Sequence, residues 1–257
     1  MKKIPVLIIT AVTIFGLLSF GAASSVASAA GTESFDSKVT SEEQVLLEAE
    51  KLIYVKADYE SAFTILQNWL DTDYAPLQAL IGECYWYGYG TEVDDALAYD
   101  YFSRAAEQGN LIGKYGVAAC LHDGLGVTQD RQKGEELFFD VCSLSLKAAE
   151  ETENPVEKGI LYFQASYPTL FINLPGTYTK EAHKEAFEAM EKSANCGYLY
   201  AELWAGLMYK NIPLNNLTGQ RVLYLPERDD AKGEAYLISA NKHGNTTAKD
   251  FINVFMP

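Results

Sequence analysis

The glycine pair Gly88 and Gly90 returns as Gly124 and Gly126, thirty-six residues further along the chain. The same offset sets Gly82 on Ala118, Asp94 on Asp130 and Ala98 on Gly134, with good helix formers on either side of each G-x-G. Small residues thus recur where two helices would touch. A repeat of this length encodes a two-helix unit that cannot bury its apolar face alone and must stack on its neighbours into a continuous core. The period predicts an all-α solenoid of about five helical hairpins with a concave inner face.

Each part of the unit has a mechanical reason. In the first full copy, Leu77, Ile81, Gly82 and Tyr85 form the apolar face of helix A, and Ala98, Tyr101, Phe102, Ala105 and Ala106 that of helix B. A glycine on a helix face lets two helices approach closely, and an aromatic one turn later fills the space beside it. Gly109 sits where a left-handed C-cap belongs. Upstream, Thr40 and Glu43 have capping-box spacing before Val45, Leu46, Ala49 and Leu52. A second helix is predicted from Asp58, with Ala62, Ile65, Leu66 and Trp69 as its stripe.

Ile81-Gly82, Tyr85, Gly88-Tyr89-Gly90, Asp94, Ala98, Tyr101-Phe102 and Arg104-Ala105-Ala106-Glu107-Gln108-Gly109 resemble the Sel-1-like repeat, a relative of the tetratricopeptide repeat. The resemblance implies a right-handed solenoid that acts as an adaptor or regulator through protein–protein binding, and many bacterial members are exported. A looser copy runs from Gly113 to Ser145. Lys192 to Gly197 resembles a helix B ending, Ala201 to Tyr209 the next helix A, and Asp229 to Gly244 its helix B.

Two stretches depart from the pattern. Between Leu146 and Tyr178 the helical periodicity is expected to break at Pro168, leaving an apolar loop that carries Leu170 and Phe171. Around Pro213 to Pro226 the chain has an insertion containing Val222, Leu223 and Tyr224. Insertions in repeats are often where binding lies, although a loop folded back on its own repeat is the plainer expectation. Trp86 and Tyr87 beside the packing residue Tyr85 are further candidates for the concave surface, against a simple core role.

Lys2 and Lys3, an apolar run from Ile4 to Phe20 and Ala27-Ser28-Ala29 read as a cleavable secretory signal. Residues 1–29 are expected to be signal, 30–39 a flexible leader and 40–257 the solenoid, with the mature chain periplasmic or secreted and not inserted in the membrane. The formal charge of −15 opposes nucleic acid and anionic membrane surfaces and favours a basic protein partner. The four cysteines, Cys84, Cys120, Cys142 and Cys196, allow three pairings in an oxidising compartment, or none if all pack as small apolar side chains. Cys120 with Cys142, on the two helices of one hairpin, is the first pair to test.

His122, His183 and His243 fall on different units, and no zinc-protease, nucleophile-elbow or phosphate-loop motif is present. Neither cofactor nor metal is expected. The leading expectation is an exported binding scaffold in the bacterial envelope. A sharper version is an immunity protein that neutralises a basic toxin or effector delivered to the periplasm. A hydrolase reading borrows from cysteine-rich members of the family to which a beta-lactamase activity is attributed. Those pair a cysteine at the end of helix B with one at the start of the next helix A; here Cys142 fits the first place and Ala149 stands near the second.

Overall fold

The computed structural model describes residues 41–172, 174–212, 214 and 222–255, and these are helical with no strand. The stretch read as signal and leader lies outside the described residues. Helix α1 (Glu42–Glu50) runs into a π turn (Lys51–Val55), and α2 (Tyr59–Leu66) ends in a 3-10 turn (Gln67–Trp69). Three further hairpins follow as α3 (Ala75–Tyr87) with α4 (Asp95–Glu107), α5 (Leu111–Asp123) with α6 (Arg131–Glu151), and α7 (Pro155–Phe171) with α8 (Lys180–Asn195). Then come α9 (Leu199–Tyr209), α10 (Asp230–Lys242) and a terminal helix α11 (Thr246–Phe255). Each helix packs most closely on its partner in the hairpin and on the next unit, which is the expected solenoid.

The recurring aspartates are caps. Asp58, Asp94, Asp130 and Asp229 each accept a hydrogen bond from a backbone N–H in the first turn of a helix B. Each satisfies an otherwise unpaired donor, worth about 1 kcal/mol. Helix α1 starts at Ser41, whose side chain accepts from the Gln44 amide, so the cap lies one residue beyond the expected Thr40.

The period itself follows from two close approaches. A Cβ on Gly90 would lie 2.1 Å from the Tyr59 carbonyl oxygen, and one on Gly126 would lie 2.0 Å from the Asp95 carbonyl oxygen. Both glycines have positive φ, and both press on the first turn of the preceding helix B. The second close approach is at Phe102, fully buried between Gly82 of its own hairpin and Gly116 of the next. A Cβ at Gly82 would meet the ring at 2.8 Å, so Gly82→Leu is expected to overfill this contact and cost about 1–3 kcal/mol in a urea melt.

Pro168 does not break α7, which continues to Phe171. Proline at this place leaves the Gln164 carbonyl without its helical N–H donor. The Cys142 thiol, reaching across from α6, points at that oxygen at 3.6 Å. Leu170 and Phe171 are therefore core residues of a helix, 0% and 5% exposed, and not an exposed loop. The described end of the insertion, from Val222, folds back: the Leu223 amide donates to Nδ1 of His183 at 3.2 Å, and the Tyr224 ring lies 5.8 Å from that of Phe187, while 213 and 215–221 lie outside the described residues.

The inner face is partly filled by the protein's own tyrosines. Tyr59 stacks on Tyr89 with ring centroids 4.6 Å apart, and the Tyr89 hydroxyl lies 2.9 Å from that of Tyr200 at the start of α9. A Cβ on Gly244, between α10 and α11, would meet the Tyr59 hydroxyl at 2.6 Å. The solenoid thus curls until its last turn rests against its first hairpin.

Candidate functional site

What remains open on the inner face is a cavity of about 300 Å³ between α1 with its π turn, α3, and the starts of α5 and α7. Four carboxylates line it, Glu43, Glu50, Glu83 and Glu157, against a wall that includes Leu46, Leu80, Ile112 and Ile160. Local structure places each group. Asn154 caps α7 by accepting from the amides of Val156 at 3.0 Å and Glu157 at 3.4 Å. That leaves its amide nitrogen to donate to Oε2 of Glu50 at 3.5 Å. Tyr54, in the π turn, donates its hydroxyl to Oε2 of Glu83 on α3. Thr152 holds Glu157 at 2.6 Å.

Glu50 and Glu83 are 7% and 6% exposed, so their charge is poorly hydrated. Burial pushes Glu50 up to about 7; the Asn154 hydrogen bond opposes the shift and Glu157 adds to it. Burial likewise pushes Glu83 up to about 7, opposed by Tyr54 and reinforced by Glu50. Both folded values exceed the ordinary 4.5, so their contribution to stability is fully present below that value and is lost as pH rises through about 7. Glu83→Gln, which keeps the acceptor for Tyr54 but removes the titration, is expected to narrow the fall in melting temperature between pH 5 and pH 8.

The residues singled out from sequence lie elsewhere. Trp86 is buried, edge-on to Phe102 at 5.4 Å, and Tyr87 is half-buried, stacked on Tyr200 at 5.2 Å. Leu170 and Phe171 are in the core, and Val222, Leu223 and Tyr224 lie against α8 and the main core. Cys120 and Cys142 are not bonded; all four cysteines are thiols, with Cys142 turned to the Gln164 carbonyl. Ala149, the place compared with a second cysteine, is buried within α6, and the next helix A begins only at Pro155.

Glu50 and Glu83 had a legible signal that went unread, since each is an acid on an apolar helical stripe followed one turn later by tyrosine, Tyr54 and Tyr87. The role of Asn154 depends on two helices meeting and had no such signal.

A second polar cluster is structural. Buried Glu202 accepts from Ser239 at 2.6 Å and lies 2.8 Å from Nδ1 of His243. The serine and the histidine thus share a carboxylate rather than forming a nucleophile–base pair. Gln108 donates to Gln78 at the matching place of the first full unit, 2.8 Å apart. That bond spans 30 residues and the His243–Glu202 pair spans 41, the difference being the insertion. Among the described residues no group of three or more His, Cys, Asp or Glu could hold a metal ion, and no helix is long and apolar enough to cross a membrane.

Known proteins resemble parts of the chain. Chitin synthase regulatory factor 2 of Schizosaccharomyces pombe is 31% identical over 112 residues, covering 39% of this chain and 22% of its own length. The chain thus spans less than a quarter of that relative. A Sel1 repeat protein from Oxalobacter formigenes aligns over 80% of this chain and 73% of its own, at 20% identity and a TM-score of 0.42. A protective antigen of uropathogenic Escherichia coli displaying an SLR fold aligns over 82% of this chain and 49% of its own, at 17% identity and a TM-score of 0.37. The family profile named Sel1 repeat matches residues 75–110 and 112–139, the hairpins α3–α4 and most of α5–α6, so the likeness to Sel1 repeats lies in this part of the chain.

Proposed function

We propose that the protein is a binding scaffold for another protein, acting after export in the periplasm or outside the cell. The carrying observation is the cavity left open on the inner face, where carboxylates from three helical units converge on an otherwise self-filled surface. A formal charge of −15 adds a field that attracts a basic partner and hastens encounter. Export rests on the sequence from Lys2 to Ala29.

The test is fractionation followed by capture. The tagged chain is expected in the envelope or the medium without its first ~29 residues, and the purified mature chain is expected to retain one partner at fixed stoichiometry. Retention in the cytoplasm overturns export; hydrolysis of a small substrate, with no partner retained, overturns the scaffold.

The same negative charge favours a second reading as an immunity protein against a basic effector. Co-expression with such a toxin should then restore growth through a stable complex. Growth arrest despite normal expression counts against immunity and leaves the scaffold standing.

A further inference from the structure

We infer that residues 222–226 form a strap that His183 latches onto α8 and that acid releases. The strap is the described end of the insertion between α9 and α10, and its contacts stand apart from the carboxylate cavity.

His183 is 0% exposed on α8, and its Nδ1 accepts the Leu223 amide at 3.2 Å. A ring nitrogen that accepts a hydrogen bond carries no proton, so the neutral ring holds its proton on Nε2. That atom is buried and has no partner among the described residues. Protonation would place a second N–H on Nδ1, head to head with the Leu223 N–H. The cationic ring would then be buried with neither donor satisfied, which costs more than burying the neutral one. Water must replace the Leu223 amide, so the strap must leave.

Little else holds the strap. From Val222 to Glu227, the bond to His183 is the only hydrogen bond to another described residue. Val222 and Tyr224 are half-buried against the main core, and Leu225 is 41% exposed. Beyond it the chain is fixed: the Asp229 amide donates to the Tyr209 carbonyl at 3.0 Å, and the Asp229 side chain caps α10 by accepting from the Lys232 amide at 2.9 Å. The strap can therefore swing out about Glu227 and Arg228 while α10 stays capped. A segment with so few contacts opens at a small fraction of the global unfolding free energy.

The surroundings supply no charge that would keep a protonated ring in place. Tyr178, from the loop between α7 and α8, is edge-on to His183 at 5.6 Å. From α7, Tyr167 packs against Phe163 and Phe171, and from α9 the Tyr209 hydroxyl is engaged with Glu191 and Lys232. On the strap side, Tyr224 lies beside Phe187, one turn from His183, Glu227 is exposed, and Arg228 is paired with Asp230 at 2.9 Å. On α8 itself Lys180, Glu181, Lys184 and Glu185 are exposed. Burial, with no charged neighbour contributing, lowers His183 below its ordinary 6.5. The latch is thus fully present above 6.5 and is lost as pH falls through the lower folded value. Across that window the balance between docked and released strap is expected to shift about tenfold per pH unit.

The test is NMR on the nitrogen-15-labelled mature chain between pH 8 and pH 5. It reads the His183 ring nitrogens and the exchange protection of the Leu223 amide, corrected for intrinsic rates. Both are expected to change with one midpoint, below 6.5, while α8 amides such as that of Phe187 stay protected. His183→Asn sets a non-titrating acceptor near the place of Nδ1 and is expected to hold the strap at both ends of the range.

Leu223 protection that is unchanged at pH 5, that falls equally in His183→Asn, or that falls together with the α8 amides overturns the latch. Thermal melts identify an Asn variant that has failed to fold, in which case the two wild-type midpoints carry the test. Separate midpoints for the ring and the amide overturn the latch, and a shared one supports it.

Discussion

Gly90→Ala is expected to destabilise the protein by about 2–5 kcal/mol, adding about 1–2 kcal/mol for a left-handed alanine to about 1–3 kcal/mol for overpacking. The new Cβ would stand 2.1 Å from the Tyr59 carbonyl and 2.8 Å from Cβ of Phe63. No side-chain rotation relieves a collision with backbone. The loop must lift from α2, which also pulls Tyr89 away from its stack with Tyr59 and its hydroxyl contact with Tyr200. For a chain of this size the loss corresponds to a fall in melting temperature of about 4–20 °C.

Gly109→Ala is the control, because Gly109 also has positive φ but a Cβ there would meet nothing within 4 Å. It should show the backbone penalty alone. Gly126→Ala, colliding with the Asp95 carbonyl of the preceding unit, should behave like Gly90→Ala. If Gly90→Ala and Gly109→Ala melt together, the loop does not press on the preceding helix as described.

Phe102→Ala is expected to cost about 3–5 kcal/mol, the range for truncating a buried aromatic whose surroundings collapse only in part. The ring is fully buried and touches three features at once: the edge of Trp86, the flat spot at Gly82 and the flat spot at Gly116. Against a total stability of about 5–15 kcal/mol this is a large fraction.

The two glycines permit a sharper check. A Cβ at Gly116 would lie 2.3 Å from the ring, so Gly116→Ala should destabilise the wild type. In a Phe102→Ala background the obstacle is gone and alanine gains helix propensity of up to about 1 kcal/mol over glycine. The cost of Gly116→Ala is therefore expected to shrink or reverse in the double variant. Additive losses in chemical denaturation would show that the ring and the glycine do not share one space.

Much of this frame is legible in the sequence. The hairpin boundaries follow from Asp94 and Asp130 as caps and from Gly109 and Gly197 as left-handed helix ends, which are local rules of backbone chemistry. Pro168 shows where local rules stop. Sequence alone read a helix break, whereas burial of Leu170 and Phe171 and a thiol from another helix keep α7 intact through the proline. Tyr87, which the sequence left between concave surface and core, is half-buried against Tyr200, a partner more than a hundred residues away.

The sequence by itself determined the unit: two helices, a glycine-bearing loop and an aromatic that needs small residues opposite it, all set by contacts within about one repeat. Only the tertiary structure decided how tightly the units curl and what the curl leaves open. Small rotations between successive hairpins accumulate, bringing Gly244 against Tyr59 and Asn154 against Glu50 across distances that no repeat encodes. The carboxylate cavity exists because that accumulated rotation stops short of closing over Glu50 and Glu83.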